Sequence, residues 1–247
     1  MRIALDTHTH SVASGHAYST IDDMASGARR AGLAGFVLTD HGPAMPGTTH
    51  HYHFGNLRVL PRRVKGVRFF AGVEANILDT EGRLDLDDRH LGRLDFVLAG
   101  LHEICLPPMD RERNTLALVR ALENPFVDAI SHPGNPAFPV DARAVVLAAW
   151  ANGKAIELNE GSFRVRTGSK PNCLEIARLC AETGTLIVCG TDSHYKDHVG
   201  RFPNVKALLR EARVPKELVV NRSLAAFEAF LDRRAADRKR QATHPGT

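Results

Sequence analysis

The sequence predicts one α/β domain, built as a parallel β-barrel surrounded by helices. Short runs of β-branched and aromatic residues alternate with segments of helical period along the chain, a pattern typical of repeated βα units. The 247 residues accommodate about eight such units, because one unit takes roughly 30 residues. Neither a linker nor a shift in composition divides the sequence, so a single domain is expected.

The predicted strands are short apolar runs bounded by turn-forming residues. A helix should follow the first strand, because Thr20 and Asp23 form a pattern similar to a capping box and Gly32 supplies a stop. The strands are Ile3–Thr7, Phe36–Asp40, Phe69–Val73, Phe96–Gly100, Val127–Ser131, Ala155–Leu158 and Leu186–Gly190, with a weaker eighth candidate at Leu218–Asn221. The later helices are Arg113–Leu122, Ala142–Asn152, Pro171–Glu182, Asn204–Ala212 and Leu224–Leu231.

Composition indicates a folded protein of the cytoplasm. Hydrophobic residues make up 43% of the chain and charged residues 24%, a balance that supports a core and is unlike that of disordered chains. The four cysteines form no C-x-x-C pair, which favours a reducing compartment. The start of the chain reaches Asp6, His8 and His10 before an apolar segment can form, so we expect no secretory signal. No apolar run approaches the length of a membrane span.

The net charge of +4 is weak evidence for a polyanionic partner. Part of the excess lies in residues 233–247, which we predict to be a flexible basic tail behind a domain of residues 1–232. Aromatic residues are only 6% of the chain, and they do not interleave with basic residues as in a single-strand channel. Nucleic acid is therefore not the expected partner.

The thirteen histidines are the unusual feature, because many follow predicted strands in phase. All but the sixth of the seven strands lead directly to histidine or acidic side chains, at intervals of roughly 30 residues or twice that. A lone histidine near a strand end is more often structural than a ligand. Strand ends in a parallel barrel meet on one face, however, so the in-phase set favours a metal site. Its members are His8, His10, His41, Glu74, His102, His132, Asp192 and His194, joined by His16 from the first loop.

The remaining histidines do not follow this phase. His51, His53 and their neighbour His50 lie after the second strand, and they either contact substrate or belong to a solvated loop. We predict that the loop of residues 42–52 is an active-site lid or a binding loop. We expect surface positions for His90, His198 and His244. P-loop, dinucleotide-binding and serine-hydrolase motifs are missing from the sequence.

Six short motifs give the chain a specific resemblance. They are Asp6-Thr-His-Thr-His-Ser11, Thr39-Asp-His-Gly42, Gly72-Val-Glu-Ala-Asn76, Gly100-Leu-His102, Ser131-His-Pro-Gly-Asn-Pro136 and Gly190-Thr-Asp-Ser-His194. Together they resemble the motifs of the PHP (polymerase and histidinol phosphatase) superfamily over nearly the whole chain. The segment Ala17–Thr20 and the loop His50–Phe54 are similar to its YcdX-like phosphatase branch.

This resemblance implies a distorted (βα)7 TIM-like barrel, with the eighth strand candidate as a C-terminal elaboration. It also implies a cluster of three metal ions that hydrolyses phosphomonoesters, and a homo-oligomer, of which a trimer is one form. By similarity, one metal would bind His8, His10, Glu74 and Asp192. A second would share Glu74 and bind His102 and His132, and a third would bind His16, His41 and His194.

The ligand types suggest the chemistry. Nitrogen-rich open sites suit Zn²⁺, with Mn²⁺ or Fe²⁺ as alternatives, and a hydroxide held by His8, His10, Glu74 and Asp192 would attack phosphorus. Three divalent ions would leave a positive cavity suited to a small phosphorylated substrate. Arg164 and Arg166 either clamp that phosphate or solvate a loop, and Asp6 and Asp40 are candidate partners of ligand histidines.

Three other functions stay open. A histidinol-phosphatase role uses the same chemistry and differs only in substrate. A single-strand nuclease would need the basic, aromatic channel that the sequence lacks. A non-catalytic metal-binding domain would need no complete ligand set, and a turnover assay separates it from an enzyme.

Overall fold

Seven parallel strands form the predicted barrel in a computed structural model that describes residues 1–243. The barrel strands are β1 (Leu5–Thr9), β2 (Gly35–Leu38), β4 (Val67–Asn76), β5 (Phe96–Gly100), β6 (Ala129–Ile130), β7 (Ala155–Asn159) and β8 (Leu186–Gly190), and a short additional strand is β3 (Arg63–Val64). The helices are α1 (Ile21–Arg30), α2 (Tyr52–Asn56), α3 (Asp88–Leu91), α4 (Arg111–Glu123), α5 (Ala142–Ala151), α6 (Ser162–Val165), α7 (Ser169–Thr183), α8 (Pro203–Glu211) and α9 (Leu224–Thr243).

The sheet follows the order β1-β2-β4-β5-β6-β7-β8, and each neighbouring pair is parallel. The short strand β3 lies outside this series and pairs antiparallel with β4. Sequential parallel pairing is the topology of a TIM-like barrel, so the predicted fold class is confirmed. All seven predicted barrel strands overlap observed ones.

Between β1 and β8 the barrel is closed by a few specific contacts, and not by a continuous ladder of backbone hydrogen bonds. Thr9 bridges Ser193 at the upper end. Lower down, the buried Asn221 amide donates from Nδ2 to the carbonyls of Leu5 and Cys189, both at 2.8 Å. Its Oδ1 accepts from the Cys189 amide at 3.1 Å. One polar side chain therefore occupies the place of a strand.

The eighth strand candidate is wrong. Residues 216–218 and 220–222 form 3₁₀ turns, and a single bridge joins Val219 to Ile187. The apolar run at 218–220 has the composition of a buried strand. The barrel nevertheless has seven parallel strands, as the similarity to the PHP superfamily implies. The side chain of Asn221 satisfies strand-edge groups that a further strand would have bonded.

The N-terminal end of the barrel is closed by α9. Phe227 is fully buried and makes edge contacts with Phe70 and Phe96 at ring separations of 5.1 and 5.5 Å. Phe230 packs beside it in the same apolar cluster, which also contains inward residues of the strands. Because this end is filled with aromatic side chains, the opposite, C-terminal end is the one available for a site.

The helices cover the outside of the sheet in a second, larger apolar cluster. The capping box predicted for α1 is confirmed, since Thr20 Oγ1 accepts from the Asp23 amide at 3.2 Å and Asp23 accepts from the Thr20 amide at 3.1 Å. Cys173, Cys180 and Cys189 are buried, and the cysteines are free thiols. Within residues 1–243, no helix has the length and apolar character needed to cross a membrane.

The tail expected from residue 233 is instead the second half of α9, which continues to Thr243. Arg234 is buried and hydrogen-bonds the carbonyl of Asn152 at 3.1 Å, and Arg238 donates to the buried Asp128 at 3.1 Å. These contacts hold a basic segment against the barrel. His244 and the three residues after it lie outside the described part of the chain.

A buried ionic cluster lies under this helix. Lys154 is 2% exposed and donates to the Asn124 carbonyl. Burial, followed by the positive charge of Arg234, lowers the pKa of Lys154 to about 7. Asp128 opposes this effect, Arg238 adds to it, and Glu123 is the remaining nearby carboxylate.

Candidate metal centre

The C-terminal ends of six barrel strands bring the nine predicted ligands together. Eight of these side chains are buried or half-buried, and His16 is exposed. His8 lies within β1 and His10 follows it, while Glu74 lies within the long strand β4. The others come from the loops that directly follow β1, β2, β5, β6 and β8: His16, His41, His102, His132, Asp192 and His194.

Glu74 is the centre of the cluster. Its fully buried carboxylate has Oε2 3.2 Å from His8 Nε2 and 2.9 Å from His41 Nδ1. Its other oxygen, Oε1, lies 2.7 Å from His132 Nε2 and 3.3 Å from His102 Nε2. One carboxylate thus faces histidines from four strands, the arrangement expected of a bridging ligand.

The other half of the cluster is built around His10. Its Nε2 lies 2.9 Å from His8 Nε2 and 3.3 Å from Asp192 Oδ1. The rings of His10 and His194 are 4.4 Å apart, and His194 Nε2 lies 2.9 Å from His16 Nε2. Ring nitrogens that approach one another this closely need either a shared proton or a cation between them.

Within residues 1–243, three sets of side chains have candidate ligand atoms within 4.8 Å of one another: His8, His10 and Glu74; His41, Glu74 and His102; and His10, His41 and His194. The first set matches three of the four residues predicted for one ion. In the second, His41 stands where His132 was predicted, and in the third, His10 stands where His16 was predicted. The structure therefore unites all nine residues, and their division among individual ions stays a prediction.

Unpartnered atoms at the centre fit metal binding. His41 Nδ1, Glu74 Oε2 and His102 Nε2 are buried and make no hydrogen bond among the described residues. A buried polar atom without a hydrogen-bond partner costs about 1–3 kcal/mol. A cation between these atoms would remove that cost. Imidazole and carboxylate groups without thiolate suit zinc, manganese or iron in an open catalytic site.

The electrostatics favour neutral imidazoles, which is the form that binds metal. Burial and the neighbouring rings of His194 and His41 hold the pKa of His10 well below its ordinary value. Burial, and then Arg166, lowers the pKa of His132 to about 4. His8 is the exception: burial opposes the effect, but the nearby carboxylates, led by Glu157, raise its pKa well above the ordinary value.

Several ligand rings are oriented by bonds to the ring nitrogen that faces away from the centre. Ser14 Oγ lies 3.0 Å from His10 Nδ1 and donates its own proton to Asp40 Oδ1 at 2.7 Å. His10 Nδ1 is therefore the donor to Ser14, and His10 Nε2 is left without a proton and can bind a metal. Asn76 Oδ1 lies 2.7 Å from His102 Nδ1 in the same manner. Such partners fix the tautomer and orientation of metal-binding histidines.

The two aspartates proposed as partners of ligand histidines have different roles. Asp40 acts on His10 through Ser14, as just described. Asp6 instead accepts from the amides of Thr191 and Gly200, both at 2.9 Å, and contacts no ligand ring among the described residues. Burial raises the pKa of Asp6 to about 6. Through these two hydrogen bonds, Asp6 connects the loop after β8 to β1.

Two of the predicted ligands occupy strained backbone conformations. His132 has φ +30° and Asp192 has φ +54°, in the left-handed region that costs other residues than glycine about 1–3 kcal/mol. His132 follows β6, and Asp192 follows β8. Strain of this kind persists where the surrounding structure holds a side chain in a required direction, and here it turns both ligands toward Glu74 and His10.

The predicted substrate residues divide into two groups. Arg166 donates from Nη1 to Asp192 Oδ2 at 3.0 Å, and it lines a cavity of about 610 Å³ together with His102. Arg164 instead contacts His198 Nδ1 at 3.0 Å. The structure therefore brings Arg166 to the cluster and places Arg164 in a separate contact.

The histidines of the loop after β2 also differ from each other. His53 Nε2 lies 3.2 Å from Asp40 Oδ2, so it is linked to the predicted metal ligands through Asp40. His51 lies in an outer groove of about 1030 Å³, with its ring 5.1 Å from that of His90. His90 is half-buried and contacts Asp87 at 2.6 Å.

Sequence reasoning missed Ser14, Asn76 and Glu157. Glu157 is the most informative, because it lies on β7, the barrel strand that contributes none of the nine ligands. Its Oε1 is 2.7 Å from His8 Nδ1, and its Oε2 accepts from the His132 amide at 2.9 Å. The available signal was a charged residue between the apolar Ile156 and Leu158 of a predicted strand.

The fold and the site together define a TIM-like barrel with a candidate metal site at the C-terminal ends of its strands. The chain belongs to the PHP domain family, whose model matches residues 6–132. Probable phosphatases of Acetivibrio thermocellus and Caldicellulosiruptor bescii are 53% and 47% identical to it over 95% and 94% of this chain, and 97% and 96% of theirs.

A solved structure extends this comparison to the fold. The histidinol phosphate phosphatase of Lactococcus lactis, complexed with zinc, L-histidinol and phosphate, matches with a TM-score of 0.62. The alignment covers 86% of this chain and 94% of that one at 18% identity. It confirms the barrel expected from the resemblance.

Proposed function

We propose that this chain hydrolyses phosphomonoesters with a centre of three divalent metal ions, Zn²⁺ first and Mn²⁺ or Fe²⁺ as alternatives. The observation that carries the proposal is the cluster of nine candidate ligand side chains with Glu74 at its centre, in which three buried ligand atoms lack a hydrogen-bond partner among the described residues. The family and the relatives named as probable phosphatases support the reaction class.

The number and the charge of the ligands determine the charge of the centre and the coordination positions that stay open for water or substrate. Nine side chains for three ions leave about three protein ligands per ion, fewer than the four of a closed structural site. When bound, divalent ions activate water as a nucleophile near neutral pH and neutralise phosphoryl charge. Glu74 and Asp192 cancel only part of the positive charge of such ions, so the cavity favours a dianion, which a phosphomonoester is.

Residues of the chain orient the reactants around this centre. His8, His10, Glu74 and Asp192 hold the position from which the nucleophile approaches phosphorus. Arg166 lies at the edge of the same site, bonded to Asp192, and can turn its guanidinium toward the phosphoryl oxygens. A positive group at that point stabilises charge that grows as the ester bond breaks.

The cavity beside Arg166 supports a small phosphorylated substrate. Its wall combines Arg166 and His102 with the less polar Ile104, Phe138 and Val165. A volume of about 610 Å³ falls in the range of small-molecule pockets. His51 and His53 stay proposed as substrate contacts from the loop after β2, with His53 the nearer to the metal ligands.

The test is hydrolysis of p-nitrophenyl phosphate by protein stripped with a chelator and then reloaded with zinc or manganese. We expect activity only after reloading, and a loss of at least 100-fold in Asp192→Asn. Asp79→Asn, which alters a carboxylate paired with Arg83 on the surface, is the matched control and should behave as wild type. Equal activity with and without metal would overturn the proposal, as would no activity under any loading.

A histidinol-phosphatase role is the second candidate, favoured by the Lactococcus lactis structure with L-histidinol and phosphate. A panel of phosphorylated metabolites that includes histidinol phosphate separates the two. A kcat/KM for histidinol phosphate at least 100-fold above that for the other esters would assign that role. Cleavage of single-stranded DNA at physiological salt would restore the nuclease alternative, and turnover of any ester would exclude a purely structural role.

Assembly and location stay predictions. We propose a homo-oligomer, with a trimer as the form that the family resemblance implies, and light scattering on the purified protein measures its mass directly. A mass near 27.0 kDa would contradict the oligomer. The cytoplasm is the proposed compartment.

A further inference from the structure

We propose that Glu157 is a positioning residue for the metal centre, which it holds by fixing the His8 ring and the backbone of His132. This inference rests on the proposed function. Glu157 belongs to β7, the barrel strand that provides none of the nine ligands. The strand therefore contributes to the centre indirectly, through one carboxylate that joins ligands of two other strands.

The contact with His8 selects its tautomer. Glu157 Oε1 lies 2.7 Å from His8 Nδ1, and both side chains are fully buried. Because a carboxylate only accepts, Nδ1 carries the proton and Nε2 is left toward Glu74, which lies 3.2 Å away. A carboxylate bonded to the outer nitrogen of a ligand histidine fixes the ring and raises its basicity toward metal.

The contact with His132 supports a strained turn. Glu157 Oε2 accepts from the His132 amide at 2.9 Å, at the residue whose φ is +30°. The same oxygen accepts from Asn159 Nδ2 at 3.1 Å, which holds the carboxylate in place. The two oxygens of one carboxylate thus serve one ligand each, a task that an uncharged amide cannot perform because it has a single acceptor oxygen.

The packing around Glu157 leaves space for this carboxylate and little else. A Cβ on Gly190 of β8 would lie 2.2 Å from Glu157 Oε1 and 2.4 Å from His8 Cβ. Only glycine therefore permits Glu157 to reach across to β1. The absence of a side chain at position 190 is an independent sign that the contact between Glu157 and His8 is built into the barrel.

The test measures metal binding, without reference to catalysis. Stripped wild type, Glu157→Gln and the control Glu160→Gln are titrated with zinc in competition with a chromophoric chelator. Glu160 is three residues further on and bonds Asn204 in α8, away from the ligands. We expect Glu157→Gln to lose 10- to 100-fold in the affinity of at least one zinc equivalent, with its metal-free melting temperature within a few degrees of wild type, while Glu160→Gln binds zinc as wild type does.

Three results would overturn the inference: unchanged zinc affinities in Glu157→Gln, equal losses in both variants, or weaker zinc binding fully explained by unfolding of the metal-free variant. If the variant does not fold, ¹⁵N NMR of zinc-loaded wild type tests the role of Glu157 through the tautomer of the His8 ring. A His8 ring protonated at Nδ1 and metallated at Nε2 supports the role, and the opposite tautomer overturns it. Failure of the proposed phosphatase reaction would show as absent ester hydrolysis in wild type, a separate readout from zinc affinity.

Discussion

Replacing Asn221 by alanine should measure how the barrel is closed. The side chain is fully buried and makes three hydrogen bonds, to the Leu5 carbonyl and to both backbone groups of Cys189. In Asn221→Ala the Leu5 carbonyl and the Cys189 amide lose this partner, whereas the Cys189 carbonyl keeps the hydroxyl of Thr7 at 3.1 Å. A buried group left without a partner costs about 1–3 kcal/mol, so we expect the two groups together to cost about 2–6 kcal/mol.

Denaturant unfolding of metal-free protein is the assay, because bound metal would add its own stabilisation. For a chain of this length, the expected loss lowers the melting temperature by roughly 4–24 °C. The exposed Asn56 provides a matched control, and Asn56→Ala should change stability by less than about 0.5 kcal/mol. A loss below about 1 kcal/mol in Asn221→Ala would refute the view that this one amide closes the gap.

Three further predictions concern the metal centre and the lower end of the barrel. His41→Ala should remove metal and lower turnover while the circular dichroism spectrum stays that of wild type; unchanged metal content and turnover would take His41 off the ligand list. Arg166→Ala should raise KM for p-nitrophenyl phosphate about tenfold or more, and an unchanged KM and kcat would show that Arg166 serves only Asp192. The third concerns Lys154, whose pKa of about 7 lies below its unfolded value near 10.4. Between pH 7 and 9 the unfolded chain binds the extra proton, so wild-type stability should rise with pH by up to about 1.4 kcal/mol per unit. Urea unfolding at pH 7, 8 and 9 should show a flatter profile for Lys154→Met, and parallel profiles would contradict the shift.

The convergence of the candidate ligands was predictable because it depends on a repeat. Each βα unit places its strand end on the same face, so residues such as His41, Glu74 and His102 converge although the chain separates them widely. The structure confirms this convergence, with Glu74 within 3.3 Å of histidines from four strands. The Thr20 capping box was predictable for a different reason, since it is a local contact between residues three apart.

The features that sequence did not reveal are contacts across the barrel. Glu157 meets His8 only because β7, β8 and β1 curve around together, and nothing in their separate patterns indicates that approach. Asn221 follows an apolar run that fits a strand, yet its role depends on the gap between β1 and β8. The basic segment of α9 resembles a solvated tail until Asp128, more than a hundred residues earlier, is placed against Arg238.

Anomalous diffraction at the zinc edge tests the central claim most directly. Crystals grown from stripped protein with excess zinc should show three peaks, each bounded by histidine nitrogens and carboxylate oxygens of the nine predicted side chains at about 2.0–2.2 Å. Glu74 should contact two of these ions, as its two oxygens each face histidines of different strands. Fewer than three peaks among these side chains, or zinc bound only elsewhere, would contradict the proposed trinuclear centre.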